Sequence, residues 1–73
     1  MRSISNLEKD EIGIITGFSS DLFNRARIME MGLLKDVTIR LVKKSPLKGP
    51  IELKVRSYYI TLRYGDAMKI YIK

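Results

Sequence analysis

Seventy-three residues without a cysteine or a histidine exclude a disulfide framework, an ordinary structural zinc site and the imidazole that most often moves protons at neutral pH. A chain this short buries only about 60% of the surface it exposes when unfolded, so a single domain over residues 1–73 with one small core is expected. The net charge of +6 is concentrated late: residues 1–36 carry five basic and six acidic groups, residues 37–73 nine and two, which points to an anionic partner.

The opening MRSISNLEKD lacks the apolar run of a secretory signal, and no later stretch reaches the roughly 18 apolar residues of a membrane-spanning helix. A soluble, cytoplasmic protein is expected. Glu11 to Phe18 (EIGIITGF) is rich in β-branched residues and reads as a strand. Ser19 and Ser20 offer hydroxyls to a helix start, and Asp21 adds charge where the helix dipole favours it. Leu22, Ala26, Met29 and Leu33 then share one face of a helix of about three turns. Gly32 sits where a left-handed C-terminal cap forms most easily, and Arg27 and Glu30 are spaced to pair on the polar side.

From Asp36 the period becomes two. Val37, Ile39 and Leu41 form the apolar side of a strand, with Thr38, Arg40 and Val42 opposite. Ile51, Leu53 and Val55 alternate with Glu52, Lys54 and Arg56 in an antiparallel neighbour, and Lys43 to Pro50 join the two. Pro46 and Pro50 cannot donate to a ladder, so they end one strand and open the next, while Gly49 is expected to supply whatever φ the turn between them needs. Leu47 is expected to fold back over one barrel end. Tyr58, Ile60 and Leu62 mark another strand, Tyr64 to Ala67 (YGDA) a turn or single helical turn, and Met68, Ile70 and Ile72 the last strand. Five short strands with one short helix after the first predict a mainly β fold, a small five-stranded barrel whose closure removes exposed edges.

Little in the sequence suggests catalysis. Gly13 and Gly17 lie within a strand pattern with no lysine placed to meet a phosphate, and Asp10 and Glu11 are adjacent, so they point apart if extended. No enzyme activity and no cofactor are expected. Met29, Glu30 and Met31 could offer thioethers and a carboxylate to a metal, but alternate residues of a helix diverge too far to clasp one ion, and core packing is the preferred reading of the methionines.

What remains is binding. Arg40, Lys43, Lys44, Lys48, Lys54 and Arg56 belong to the second and third strands and their loop, and form one exposed stripe if the hairpin holds. A solvated surface explains such a stripe as readily as a docking face. Among the aromatics, adjacent Tyr58 and Tyr59 must face opposite sides of their strand, so only one can enter the core.

Residues 25–33 (RARIMEMGL), the strand-loop-strand around SPLKGPI (45–51), and ITLR followed by DA and an apolar strand (60–63 and 66–72) together resemble the FeoA family of bacterial ferrous iron transport. The resemblance covers about Leu7 to Ile72. It implies an SH3-like barrel and an accessory role beside FeoB, a membrane permease with a cytoplasmic GTPase domain; the same module resembles the C-terminal domain of iron-dependent repressors. The family often shows glycine where this chain has Asp10, Asp36 and Ser57, and aspartate tolerates left-handed turns better than most residues.

The leading expectation is therefore a non-catalytic cytoplasmic module that docks on a FeoB-type permease through its helix and basic hairpin, with Arg25, Arg27, Glu30, Arg40, Lys43, Lys44, Lys48, Lys54, Arg56 and Tyr59 as candidate contacts. No metal ligand is assigned. Nucleic acid is not the expected partner, but binding of single strands by a basic barrel is the alternative. Transition metal binding or sensing is a third reading. Action at the inner membrane surface and self-association stay open.

Overall fold

A computed structural model describes residues 1–73. Five strands, β1 (Ile12–Phe18), β2 (Thr38–Lys44), β3 (Ile51–Val55), β4 (Tyr58–Leu62) and β5 (Ile70–Ile72), are accompanied by two short helices, α1 (Arg25–Glu30) and α2 (Tyr64–Ala67). The strands form one sheet in the order β4-β3-β2-β1-β5, every pairing antiparallel. The mainly β, five-stranded expectation is met.

β1 bends the sheet. Ile12 to Ile14 pair with β2, Ile15 to Phe18 pair with β5, and the register shifts between Ile15 and Gly17. A bulge of this kind increases local twist and turns the strand between two layers. Its alternation was hard to read because isoleucine occupies both faces: Ile15 is fully buried, whereas Ile12 is 62% exposed.

The inward positions of β2 and β3 behave as their period demands. Ile39, Leu41, Ile51, Leu53 and Val55 are all buried, and join Ile15, Leu62, Ala67, Ile70 and Ile72 in one cluster. Each buried valine, leucine or isoleucine among them contributes roughly 1.5–3 kcal/mol by leaving water. The N-terminal segment, which carries no strand or helix pattern, closes this core. Ile4, which opens a 3-10 turn at Ile4–Asn6, and Leu7, which follows that turn, are both fully buried. The Ser3 N–H donates to Asn6 Oδ1 at 2.8 Å, and Ser3 forms an isolated bridge to Tyr71 of β5.

Between β1 and β2 the helix is shorter than its sequence pattern suggests. The Ser19 hydroxyl donates to the Asp21 carboxylate and the Leu22 N–H donates to the Ser19 carbonyl, so the serines shape a turn and cap no helix. α1 starts only after Asn24. The turn lets Leu22 reach the core without extending the helix, and Ile28, not Ala26 or Met29, is the helix residue that is buried. Met29 is 40% exposed. Arg27 and Glu30 do not pair; the ion pairs are Arg2–Glu11, Arg40–Asp10 and Lys69–Asp21.

The helix exit follows expectation closely. Gly32 has φ 95, its N–H donates to Met29, and the Leu33 N–H reaches back to Ile28, the paired bonds of a Schellman cap with buried Ile28 and Leu33 in hydrophobic contact across it. A Cβ at Gly32 would lie 2.0 Å from the Tyr58 hydroxyl. That hydroxyl donates to the Met31 carbonyl at 2.6 Å, tying the end of α1 to the start of β4.

The loop from Ser45 to Pro50 corrects two expectations. Leu47 does not fold back: it is 99% exposed. Nor does Gly49 take the unusual φ; Leu47 and Lys48 do, both at 58, under a hydrogen bond from the Gly49 N–H to the Pro46 carbonyl. Glycine serves a different end there, since a Cβ at Gly49 would come 2.8 Å from Ser45 Cβ. The left-handed aspartates expected at Asp10 and Asp36 are present, at φ 67 and 73. In the β3–β4 turn it is Arg56, at φ 56, that takes this conformation rather than Ser57. Met68 caps α2 and is exposed, so the last strand starts at Ile70.

Candidate basic docking face

Four strands place one residue each in a single rank across the outer face of the sheet. Ile12 of β1 lies opposite Arg40 of β2, Arg40 opposite Lys54 of β3, and Lys54 opposite Tyr59 of β4. Antiparallel neighbours of this kind hold their Cβ atoms roughly 5 Å apart, so two cations stand side by side between an exposed isoleucine and an exposed tyrosine. The Lys54 ammonium lies 5.7 Å from the Tyr59 ring centroid, within the range in which a cation is drawn to an aromatic face.

Arg56, beyond Lys54 at the β3–β4 turn, lines the same groove, an open depression of about 470 Å³ that also includes Ile12, Asp36, Thr38 and Arg40. Arg40 is partly engaged by Asp10 at 3.5 Å, an exposed pair worth under about 1 kcal/mol and readily exchanged for another carboxylate. The arrangement offers positive charge over an apolar floor, suited to an acidic segment that also carries a hydrophobic or aromatic side chain.

The expected single stripe is divided. β2 shifts register between Leu41 and Lys43, so Lys43 faces Glu52 and Lys44 faces Ile51. The extra residue returns Lys43 to the outer face and moves Lys44 to the opposite one, where its ammonium donates to the Ser5 carbonyl at 3.1 Å. Lys44 thus braces the N-terminal segment. Lys43 lines a separate depression with Glu8, Lys9, Glu52 and the stem side of Lys44, and Lys48 stands beyond it at the turn.

The helix residues form a third neighbourhood. Arg25 places its guanidinium 5.2 Å from the Phe18 ring centroid. Arg27 borders a cleft between α1 and β4 with Met31, Thr61, Arg63 and Asp66, and Glu30 is exposed without an ion-pair partner. Arg40, Lys54, Arg56 and Tyr59 are therefore brought together; Arg25, Arg27 and Glu30 lie elsewhere. Ile12 joins the rank although sequence reasoning missed it, because nothing in EIGIITGF reveals which isoleucines face out.

Two carboxylates are held below their ordinary range, both outside the groove. Glu11 accepts from the Glu8 N–H and from Arg2, and Asp21 from the Ser19 hydroxyl and Lys69. They tie down the N-terminal segment and the turn before α1. No three histidine, cysteine, aspartate or glutamate side chains converge, and no helix is long and apolar enough to cross a membrane.

Comparison with known proteins places the fold. An NMR structure of a FeoA-like protein from Clostridium acetobutylicum is 27% identical, with a TM-score of 0.85 over 97% of this chain and 83% of that one. A zinc-complexed FeoA from Stenotrophomonas maltophilia, described as a prokaryotic SH3 domain protein, superposes with a TM-score of 0.85 over 100% of this chain and 91% of its own at 21% identity; at that distance the likeness is one of fold, and it identifies the barrel as SH3-like. A fusion of Fe(2+) transport protein A with the Fe(2+) transporter FeoB from Porphyromonas gingivalis (strain ATCC BAA-308 / W83) is 31% identical over 70 residues, 96% of this chain but only 8% of the fusion's length. The sequence model of the FeoA domain matches residues 2–73, and the chain belongs to the FeoA domain family.

Proposed function

We propose that this chain is a non-catalytic accessory module of ferrous iron transport that docks on the cytoplasmic GTPase region of a FeoB-type permease and modulates it. The observation that carries the reading is the Ile12–Arg40–Lys54–Tyr59 rank, a prepared cationic face with aromatic and aliphatic flanks. Family membership supports the pathway. The relative that joins both proteins in one polypeptide supports the partner, since fusion raises the effective concentration of two modules that work together. Iron is the cargo of the permease in this reading, and the module's contribution is contact.

Titration of the chain against the permease's isolated cytoplasmic domain tests it. Arg40→Glu with Lys54→Glu should weaken binding by at least tenfold and flatten its salt dependence, because exposed charges act through a screened field. Lys43→Glu with Lys44→Glu should weaken it less. Equal affinity of wild type and the Arg40/Lys54 variant would remove this face from the contact. Retention of single-stranded nucleic acid that falls steeply with salt, in a protein that ignores the permease domain, would replace the reading with the other class.

A further inference from the structure

The β2–β3 turn presents a leucine to solvent at a cost to its own backbone. Leu47 is 99% exposed, and a single exposed leucine is ordinary. Its conformation is not. Leu47 and the following Lys48 both have φ 58, the signature of the mirror-image turn that asparagine and glycine fill without strain. Bulky residues are genuine outliers there. Nothing in the fold demands leucine: the side chain contacts no core residue, and the turn is closed by backbone bonds from Gly49 to Pro46 and from Ser45 to Pro50.

The surroundings are cationic. Lys48 is the next residue, and the register shift in β2 brings Lys43 to the outer face at the same end of the hairpin. Both are exposed; Glu52 opposite Lys43 is the one acidic residue of the hairpin, and Glu8 shares the depression of Lys43 with Lys9 and Lys44, which leaves the lysines in excess there. Pro46 and Pro50 flank the tip and leave it without N–H groups at those positions, which lowers the cost of bringing backbone toward a low-dielectric phase. An apolar apex with a lysine on each side matches the layering of an anionic leaflet, acyl chains beneath phosphate-bearing headgroups.

We propose that this turn is a membrane-contact point that inserts Leu47 into the headgroup boundary of an anionic bilayer, with Lys43 and Lys48 against its phosphates. The contact is independent of the Arg40–Lys54 face, and either can fail without the other. One leucine anchors less strongly than a myristoyl chain, whose association constant is itself only about 10⁴ M⁻¹. Stable residence therefore takes a second contact, which docking on a membrane protein supplies.

The chain contains no tryptophan, so Leu47→Trp creates a sole indole reporter at the tip. With phosphatidylcholine vesicles containing phosphatidylglycerol at millimolar lipid, the indole emission should shift to the blue and be quenched by brominated acyl chains. Pure phosphatidylcholine should give a much weaker response. Leu47→Asn in the otherwise native chain should lower sedimentation with anionic vesicles about tenfold, and Lys43→Glu with Lys48→Glu by at least about fivefold for each lysine removed. Because asparagine suits a left-handed turn, Leu47→Asn should unfold no earlier than wild type, which separates lost contact from lost fold. An unshifted, unquenched indole overturns the proposal. So does a Leu47→Asn chain that sediments like wild type, or a Leu47 whose loss weakens only the permease-domain titration, in which case the tip is a protein anchor.

Discussion

Two left-handed turns in this small barrel have opposite settings. At Gly32 the backbone takes φ 95 beneath the Tyr58 hydroxyl, inside a cap that delivers Leu33 to the core. At Leu47 it takes φ 58 with the side chain in open solvent. The first turn uses the one residue that fits, and packing accounts for it completely. The second uses a residue that does not fit, and no internal contact compensates. Strain with a packing reason belongs to the fold; strain without one points outward, toward something the turn meets.

The contrast predicts that the same kind of substitution acts in opposite directions at the two sites. Gly32→Ala forces a side chain into φ 95 and displaces the Tyr58 ring, which can swing away because it is 39% exposed. The expected loss is about 2 kcal/mol, roughly equal parts left-handed strain and the broken hydrogen bond. For a domain of this size that lowers the melting midpoint by roughly 10 °C. An unchanged midpoint would mean that Tyr58 is not seated on the cap. Tyr58→Phe isolates the second part, removing the donor to Met31 for about 1 kcal/mol. In a Gly32→Ala background, where the hydroxyl is already displaced, Tyr58→Phe should cost almost nothing, and a double-mutant cycle reads that coupling directly.

At the other turn, Leu47→Asn should raise stability by about 0.5–1 kcal/mol, as relief of left-handed strain with no packing to lose. Denaturant midpoints with unchanged slopes would establish it. A destabilised Leu47→Asn chain would show that the leucine packs on its own domain after all, and the comparison between the turns would collapse.

The sequence disclosed those two turns unequally, and the reason is physical. A glycine after an amphipathic run announces a left-handed cap, because only one residue type fills it cheaply. Leucine carries no such signal. Proline and glycine around it marked the bend correctly but directed attention to Gly49 for a φ that the chain takes at Leu47 and Lys48. The strands of β2 and β3 were legible through their period of two, and their basic residues were visible as a set. The division of that set was hidden: a one-residue register shift after Leu41 moves Lys44 to the opposite face, and bulges leave little trace in an alternating pattern. Helix α1 was overread because Ser19 and Ser20 resemble caps whether they start a helix or shape a turn. The buried N-terminal Ile4 and Leu7 were missed because a 3-10 turn has no periodicity to detect.

Acid sharpens the comparison with a smaller effect. Neither turn depends on a carboxylate, whereas the N-terminal segment and the turn before α1 do. Glu11 is held below its ordinary value of 4.5 by the Glu8 N–H and Arg2, and Asp21 below 3.8 by the Ser19 hydroxyl and Lys69. A carboxylate with a lowered folded pKa stabilises fully above its unfolded value, and that contribution fades as pH falls through the folded value. Thermal stability should therefore be flat near neutrality and decline below about pH 4.5. Glu11→Gln, which cannot ionise, should begin lower at neutral pH and fall less steeply toward acid. Across the same range the gap between Gly32→Ala and Leu47→Asn should stay constant, because both arise from backbone conformation and a hydrogen bond in which no carboxylate takes part. A gap that closes on acidification would place a charged partner at one of the two turns and require a different account of its strain.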